Sequence, residues 1–546
     1  MKKLFLTLTF VVTFFALSAV SASAVTNDTV KVGLRYGSSA MFSANLENAV
    51  GSGYTFGWYN EDRSFHDLGE TEETTISMTA AGTICLDSSG NYSASSGSRT
   101  LGPWHAQIDG FDSYEDALDE AEAWDGGYPA WIDGEFVVRV GCYESRDEAE
   151  DMAAECGGDA VKSGSTGVMV TVTRTTQVLF EFDCGGALNL GVQPDGGSRS
   201  AVTWFKGYKY QGGFEYPRVT GGNLNVINVV DLESYVQGVL PYEMSGSWPL
   251  EALKAQAVCA RTYACYTTKH LASYGFDVCN TTDCQVYNGL NTATDLSNQA
   301  VEETAGECLW YDGRLVEAVY HSSDGGATED AAYVWGSDVG YLKGKKDPYE
   351  AMTTIPNYTY TVTYTPAQLT WVLQNSGYSI GTVRDVYISE YTPLGHVYKV
   401  TFVDSSGKAL TVKGDSARMA FYSTTYSKNV RSLNFTISGG SGGSGSYYIN
   451  GTSNQRSSLE GASVISGSGT VSTLSGNLYA ISGSGTTSAL TGGSSAAASS
   501  GDTFVITGTG NGHHVGMSQY GAKAMAEQGY DYQDILEFYY TDITIG

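Results

Sequence analysis

The chain has 546 residues, long enough for two or three domains with cores of their own. Its formal net charge of −29 argues against nucleic acid or an anionic lipid surface as partner, because both are polyanions that would repel it. With 67 Gly and 38 Tyr against 10 Pro, the composition points to strands joined by tight turns, and a neutral sugar polymer suits such a chain better than a charged one.

Lys2 and Lys3 precede an apolar run over residues 4–20, too short for a membrane span. Ala22, Ser23 and Ala24 then form a small-residue cleavage site, so residues 1–24 read as a signal peptide and the mature chain as secreted, extracellular or held at the cell wall. An uncleaved N-terminal anchor is the alternative. The nine cysteines are an odd number. In an exported chain, disulfides are the default use, with one thiol left over or a pair holding a metal instead.

Residues 25–99 open with a strand-like run, Val30, Val32 and Leu34 alternating with Lys31, Gly33 and Arg35. Residues 100–173 carry an internal repeat. Ala106-Gln107-Ile108, Phe111-Asp112-Ser113 and Glu115-Asp116-Ala117 return 32 residues later as Val138-Arg139-Val140, Tyr143-Glu144-Ser145 and Asp147-Glu148-Ala149. Each half predicts strand, short loop, helix. Ser145 with Glu148 has the form of a capping box, Ser113 with Asp116 is its weaker twin, and Gly157 can stop the second helix. Two such halves predict a four-stranded sheet plus two helices. Residues 175–235 read as short strands between glycine-rich turns. Residues 438–502 form an insert rich in Gly, Ser and Thr. Its near-copies, 464–470 and 480–486, predict hairpin strands, while its flanks, 438–446 and 492–500, read as flexible linker. The fold class expected is α+β: a β-rich mixed domain over 25–99, 174–437 and 503–546, interrupted by the small α+β unit at 100–173.

The chemistry concentrates near Glu243. Pro249 reads as the first position of a helix whose Leu250, Leu253, Ala257, Ala260 and Ala264 make one apolar stripe. Glu243 reads as lying on a turn between a strand-like run and that helix. Its neighbours Pro241, Tyr242, Met244 and Trp248 would desolvate its carboxyl and favour the protonated form, as a general acid at a glycosidic oxygen requires. Ordinary glycosidases need a second carboxylate, and none stands out in the sequence. A lytic transglycosylase manages with one: it protonates the leaving oxygen, then takes the proton of the muramic acid 6-hydroxyl as that hydroxyl closes on the anomeric carbon. On spacing alone, a surface or capping carboxylate is the competing reading.

Three ordered blocks carry a resemblance. The first runs over 232–264 and contains Tyr242-Glu243-Met244 and Glu251-Ala252-Leu253-Lys254-Ala255-Gln256-Ala257. The second is Ala318-Val319-Tyr320-His321-Ser322-Ser323 with Gly325-Gly326 and Val334-Trp335-Gly336. The third is 510–522, with His513-His514 and Ser518-Gln519-Tyr520-Gly521, leading into a helix 519–528 stopped by Gly529 and expected to fold back on the first block. Together they resemble the SpoIID/LytB family. Separately, residues 136–150 of the repeated unit resemble the SPOR domain family, which binds glycan strands stripped of stem peptides; Trp104, Trp131 and Phe136 are the aromatics such binding would use, or else core.

The SpoIID resemblance implies a peptidoglycan lytic transglycosylase that cleaves MurNAc–GlcNAc bonds of peptide-free strands to 1,6-anhydro ends, in wall remodelling or sporulation, with Glu243 as catalytic acid/base. Ser245 stands where a proline is usual, which loosens the loop. Tyr242, Trp248, His321, Ser322, His514, Ser518, Gln519 and Tyr520 are the candidate substrate-binding residues. The reaction requires no cofactor. LytB-like members are described as amidase enhancers, so a non-catalytic role beside a cell-wall amidase is the main rival; a glycan-binding coat or surface protein and a hydrolytic muramidase are others.

Some members bind zinc with two cysteines and two histidines near a segment similar to 279–287 here. Cys279 and Cys284 match the cysteines, Asp283 stands where a histidine is found, and His270 is a distant further ligand. The pair therefore reads as half of a structural zinc site or as a disulfide.

Overall fold

A computed structural model describes residues 28–196, 200–219, 222–439 and 503–546, together with the strand backbones 447–449, 454–456, 463–465, 471–473, 478–481 and 487–490. The signal-peptide reading of 1–24 and nearly all of the linker readings lie outside these residues.

The fold is strand-rich and mixed, and two sheets organise it. In a seven-stranded sheet the order is Val278–Cys279, Thr29–Arg35, Val226–Asp231, Gly213–Tyr216, Leu190–Pro194, Tyr54–Tyr59 and Phe65–Thr71. Thr29–Arg35 alternates as its sequence predicts, with Val30, Val32 and Leu34 buried. It pairs antiparallel with Val226–Asp231, Val30 opposite Val230, so the first described strand is locked by one some two hundred residues on. Gly33 is required at a close approach: a Cβ there would meet the Phe276 ring at 2.4 Å. Val226–Asp231 is buried on both faces, as a near-continuous apolar run demands.

The ten-stranded sheet begins with the repeated unit. Trp104–Phe111, helix Tyr114–Ala121, Gly127–Ile132, Glu135–Tyr143, helix Arg146–Cys156 and Asp159–Lys162 follow one another, and the four strands lie antiparallel with the two outer halves interleaved. Both serines cap as predicted. The Ser145–Glu148 box is complete, and Ser113 accepts from Asp116 N without the return bond. The unit is not closed at its edge. Gly127–Ile132 pairs in parallel with Val178–Asp183, and the sheet runs on through Val168–Val172 and Thr75–Ala80. The sheet therefore continues on both sides of the boundaries expected at residues 100 and 173. Phe136 is core, and Trp131 packs on Trp58 and Phe136. Trp104 stays half-buried, with Arg146 and Lys162 against its ring.

The largest departure from the sequence reading lies next to Glu243. Between the central strand and helix Leu250–Tyr266 comes another helix, Leu232–Glu243, so Glu243 is a helix's last residue and not part of a turn. Asp231 caps it by accepting from Ser234 N. Leu232, Tyr235, Val236, Val239 and Leu240 bury at helical spacing. Gly238 and Pro241 look like breakers in sequence, but Gly238 is where the Tyr287 ring comes within 2.5 Å of a would-be Cβ, and Pro241 falls in the last turn. Pro249 precedes the next helix rather than opening it.

Helix Leu250–Tyr266 is buried nearly all round, beyond the single stripe expected. It packs on Leu232–Glu243, Asp295–Glu303, Gln519–Glu527 and Tyr532–Tyr539. The insert leaves the fold after Asn434–Gly439 and returns at Phe504–Thr509, two strands that pair directly, with Gly439 opposite Phe504. Within it, Ser463–Ile465 pairs with Val471–Thr473 and Leu478–Ile481 with Thr487–Leu490, the hairpins that the near-copies predict. No helix among the described residues is long and apolar enough to cross a membrane.

Candidate functional site

Helix Leu232–Glu243 delivers its terminal carboxylate to a cleft of about 990 Å³. Val286 N donates to Glu243 Oε1 at 3.0 Å, and the side chains of Gln519 and Tyr320 also hydrogen-bond the carboxyl. Burial is the largest influence and pushes Glu243 above the usual glutamate range; the three hydrogen bonds hold back part of that rise. The group is thus biased toward its protonated form, yet it faces open space and so remains usable as an acid.

The three sequence blocks meet here. Tyr320 and His321 bridge in parallel to Met517 and Ser518, Tyr520 N donates to Ser322 O, and Gln519 Nε2 donates to Gln256 Oε1 of the first block at 3.3 Å. His321 and Ser322 line the cleft with Glu243. Gln519 reaches the carboxyl directly. The other candidates fall elsewhere. Tyr242 donates its hydroxyl to Asn288 O, because consecutive helical side chains point about 100° apart and it cannot share the direction of Glu243. Trp248 and Tyr520 pack on each other at 4.9 Å, away from the cleft lining. Ser518 is fully buried and donates to Glu350 Oε1.

His514 is also fully buried, because its backbone is left-handed (φ 67°) and turns consecutive histidines to different sides, leaving His513 to line the cleft. Behind the wall, Glu329 Oε2 accepts from Thr392 Oγ1 and His396 Nδ1, and His396 Nε2 lies 3.2 Å from His514 Nδ1. Burial pushes His513 down to about 4 and His321 and His514 well below the usual range, so these rings are neutral.

Sequence reasoning missed several wall residues. Glu317 is a second carboxyl in the cleft, raised by burial. Lys269 and Arg418 also line it, each held by an acid, Asp283 at 2.7 Å and Asp415 at 2.6 Å, so each cation is offset by a neighbouring carboxylate. Nothing in their local sequence marks these residues; only the fold collects them.

Cys279 and Cys284 are both thiols, as are the other seven cysteines. With His270 and Asp283 they form a group whose donor atoms all lie within 4.8 Å of one another. The distant His270 is carried there by the short helix Leu271–Tyr274, and its ring packs against Tyr36 and Phe276. The donors fit a tetrahedral zinc of two sulfurs, one nitrogen and one oxygen. His270 Nε2 is buried and faces Asp283 Oδ2 at 3.3 Å, and the hydrogen bond from Cys284 pushes the Cys279 thiol down to about 4, so a thiolate is already favoured. Asp283 supplies the oxygen where a histidine was expected.

Residues 220–311, which hold both Glu243 and this group, match the SpoIID family, described as stage II sporulation protein. The chain is 32% identical over 324 residues to an uncharacterized protein of Brachyspira hyodysenteriae, covering 59% of this chain and 68% of that one. It is 32% identical over 324 residues to the amidase enhancer of Bacillus subtilis, covering 57% of this chain and 40% of the enhancer. To stage II sporulation protein D of the same organism it is 35% identical over 161 residues, 27% of this chain and 46% of that protein, so it spans less than half the length of these two relatives. The blocks that build the cleft and the extent of these matches together place the chain in the SpoIID family.

Proposed function

We propose that the protein is an exported peptidoglycan lytic transglycosylase that cuts peptide-free glycan strands. The observation that carries this reading is Glu243: one carboxyl, raised by burial, fixed by three hydrogen bonds at the floor of a cleft large enough for several sugar rings. It protonates the glycosidic oxygen as the bond to the anomeric carbon breaks. It then removes the 6-hydroxyl proton of the same muramic acid as that oxygen closes on the anomeric carbon. The charge balances without water, leaving a 1,6-anhydro end and a new sugar hydroxyl. The mixed polar and aromatic lining suits a polysaccharide, and Arg418 offers a guanidinium to the lactyl carboxylate that removal of the stem peptide uncovers. Zinc held by His270, Cys279, Asp283 and Cys284 would be structural, tying the cleft wall at Asp283 and Cys284 to the sheet edge at Val278–Cys279. The unit at 104–162 is read as a SPOR-like glycan-binding module, with half-buried Trp104 as its contact.

Similarity to the amidase enhancer favours one other reading, a cleft that binds glycan and assists a wall amidase without cutting. Mass spectrometry of amidase-treated peptidoglycan separates the two. Anhydro-muramyl fragments from the native chain, absent with Glu243→Gln, support the transglycosylase. Reducing ends in place of anhydro ends would point to hydrolysis with Glu317 as the second carboxyl. Strand binding without any fragments leaves the enhancer.

A further inference from the structure

Behind the cleft wall, Asp324, Asp347 and Glu350 converge with exposures of 0%, 3% and 2%. One oxygen of each lies within 4.8 Å of the others. The largest influences on Asp324 and Glu350 are burial, the neighbouring carboxyls and hydrogen-bond donors, and none of these is a cation. Three carboxylates in one dry site cannot all stay ionised without a counter-charge.

The hydrogen bonds show where that charge is missing. Glu350 accepts from Asp324 N, Gly325 N, Ser323 Oγ and Ser518 Oγ. Asp347 accepts from Tyr349 N and from Tyr539 OH. Asp324 Oδ1 accepts from Gly326 N, but Asp324 Oδ2 is sealed from solvent and accepts from no donor, and its carboxyl lies against that of Asp347. The character of the site limits what could fill the gap. Ca²⁺ accepts a cage built of protein oxygens, whereas Mg²⁺ dehydrates reluctantly and keeps several waters, which a site sealed this tightly does not favour. All three ligands are hard oxygens, which suits Ca²⁺ rather than zinc.

We propose that Asp324, Asp347 and Glu350 form a buried Ca²⁺ site in which the ion takes up the unpartnered Asp324 Oδ2. The ion joins the loop that follows His321 and Ser322 to helices Gln519–Glu527 and Tyr532–Tyr539, and so braces the cleft wall from behind. It does not depend on the reaction the cleft performs. The rival is a proton held between Asp324 and one of the other two carboxyls.

The test measures calcium by elemental mass spectrometry on the full chain after gel filtration, with thermal unfolding in Ca²⁺ and in EGTA. Asp324→Asn is compared with Asp283→Asn, which alters the cysteine–histidine group and its Lys269 pair but leaves the three carboxyls untouched. The site predicts about one Ca²⁺ per chain, a Tm several degrees higher in Ca²⁺ than in EGTA, and loss of both in Asp324→Asn but not in Asp283→Asn. No retained calcium, a Tm indifferent to Ca²⁺, and an Asp324→Asn chain at least as stable as the native one would overturn it in favour of the shared proton. Should Asp324→Asn fail to fold, calcium retention by the native chain decides alone.

Discussion

At Glu243, burial and hydrogen bonding oppose each other, and burial wins. This has a consequence for stability apart from chemistry. A carboxyl whose folded-state pKa lies above its unfolded value binds more protons when folded, so it destabilises the fold as pH rises from the usual glutamate range through the raised value. Glu243→Gln removes that liability. The variant is expected to cut no glycan and to unfold at a Tm equal to the native one near pH 4 and higher at pH 7; a Tm deficit that widens with pH would refute the assignment. The raised pKa and its cause, desolvation, were legible in the sequence, but the groups that hold the carboxyl were not. The expected neighbours were adjacent in the chain, whereas Tyr320, Val286 and Gln519, from remote segments, surround the carboxyl. Adjacency in sequence is a poor guide on a helix, where contact follows three- and four-residue spacing. His514 is a similar case: of the two consecutive histidines it was the one expected in the cleft, and a positive φ sends it inward and leaves His513 at the lining.

Among the elements, the helix pair Leu232–Glu243 and Leu250–Tyr266 sets where the acid sits, and Arg261 joins them. Its side chain is fully buried. Nε and Nη2 hold both oxygens of Glu233 at 2.8 and 2.6 Å, and Nη1 donates to Glu307 O. Arg261→Ala leaves Glu233 unpaired and a carbonyl unbonded, a loss of about 3 kcal/mol by urea unfolding. Lysine cannot reproduce the fork, so Arg261→Lys is expected to recover less than half of it. Caps and stripes made much of this architecture readable: the Ser145 box, the stop at Gly529 and the alanine-lined helix all appear where predicted. Helix Leu232–Glu243 stayed hidden because its glycine serves a distant ring and its proline, in the last turn, removes only one bond of a ladder that tertiary packing holds; neither fact is local.

For the molecule as a whole, sheet edges decide what is a domain. The 32-residue repeat revealed the interleaved halves of 104–162, but no local pattern told that its edge strand Gly127–Ile132 would find Val178–Asp183. Arg139 of the unit is buried and pairs at 2.6 Å with Glu181 of that outer strand. The insert is the opposite case. Its two ends are already neighbours in a ladder, Gly439 opposite Phe504, so residues 441–501 close a loop whose anchor points the fold fixes independently. Closure entropy grows only slowly with loop length, by about 0.6 kcal/mol per doubling, so replacing the insert with a two-residue Asn-Gly turn should leave stability within about 2 kcal/mol of the full chain or slightly raise it. Glu243 chemistry should also survive, because every described residue lining the cleft lies outside the insert. Parallel thermal unfolding and product analysis of the shortened chain check both statements. A chain that folds but no longer releases anhydro fragments from long strands would assign the insert to substrate capture, whereas one that fails to fold would mean that the hairpins support the Asn434–Gly439 and Phe504–Thr509 ladder.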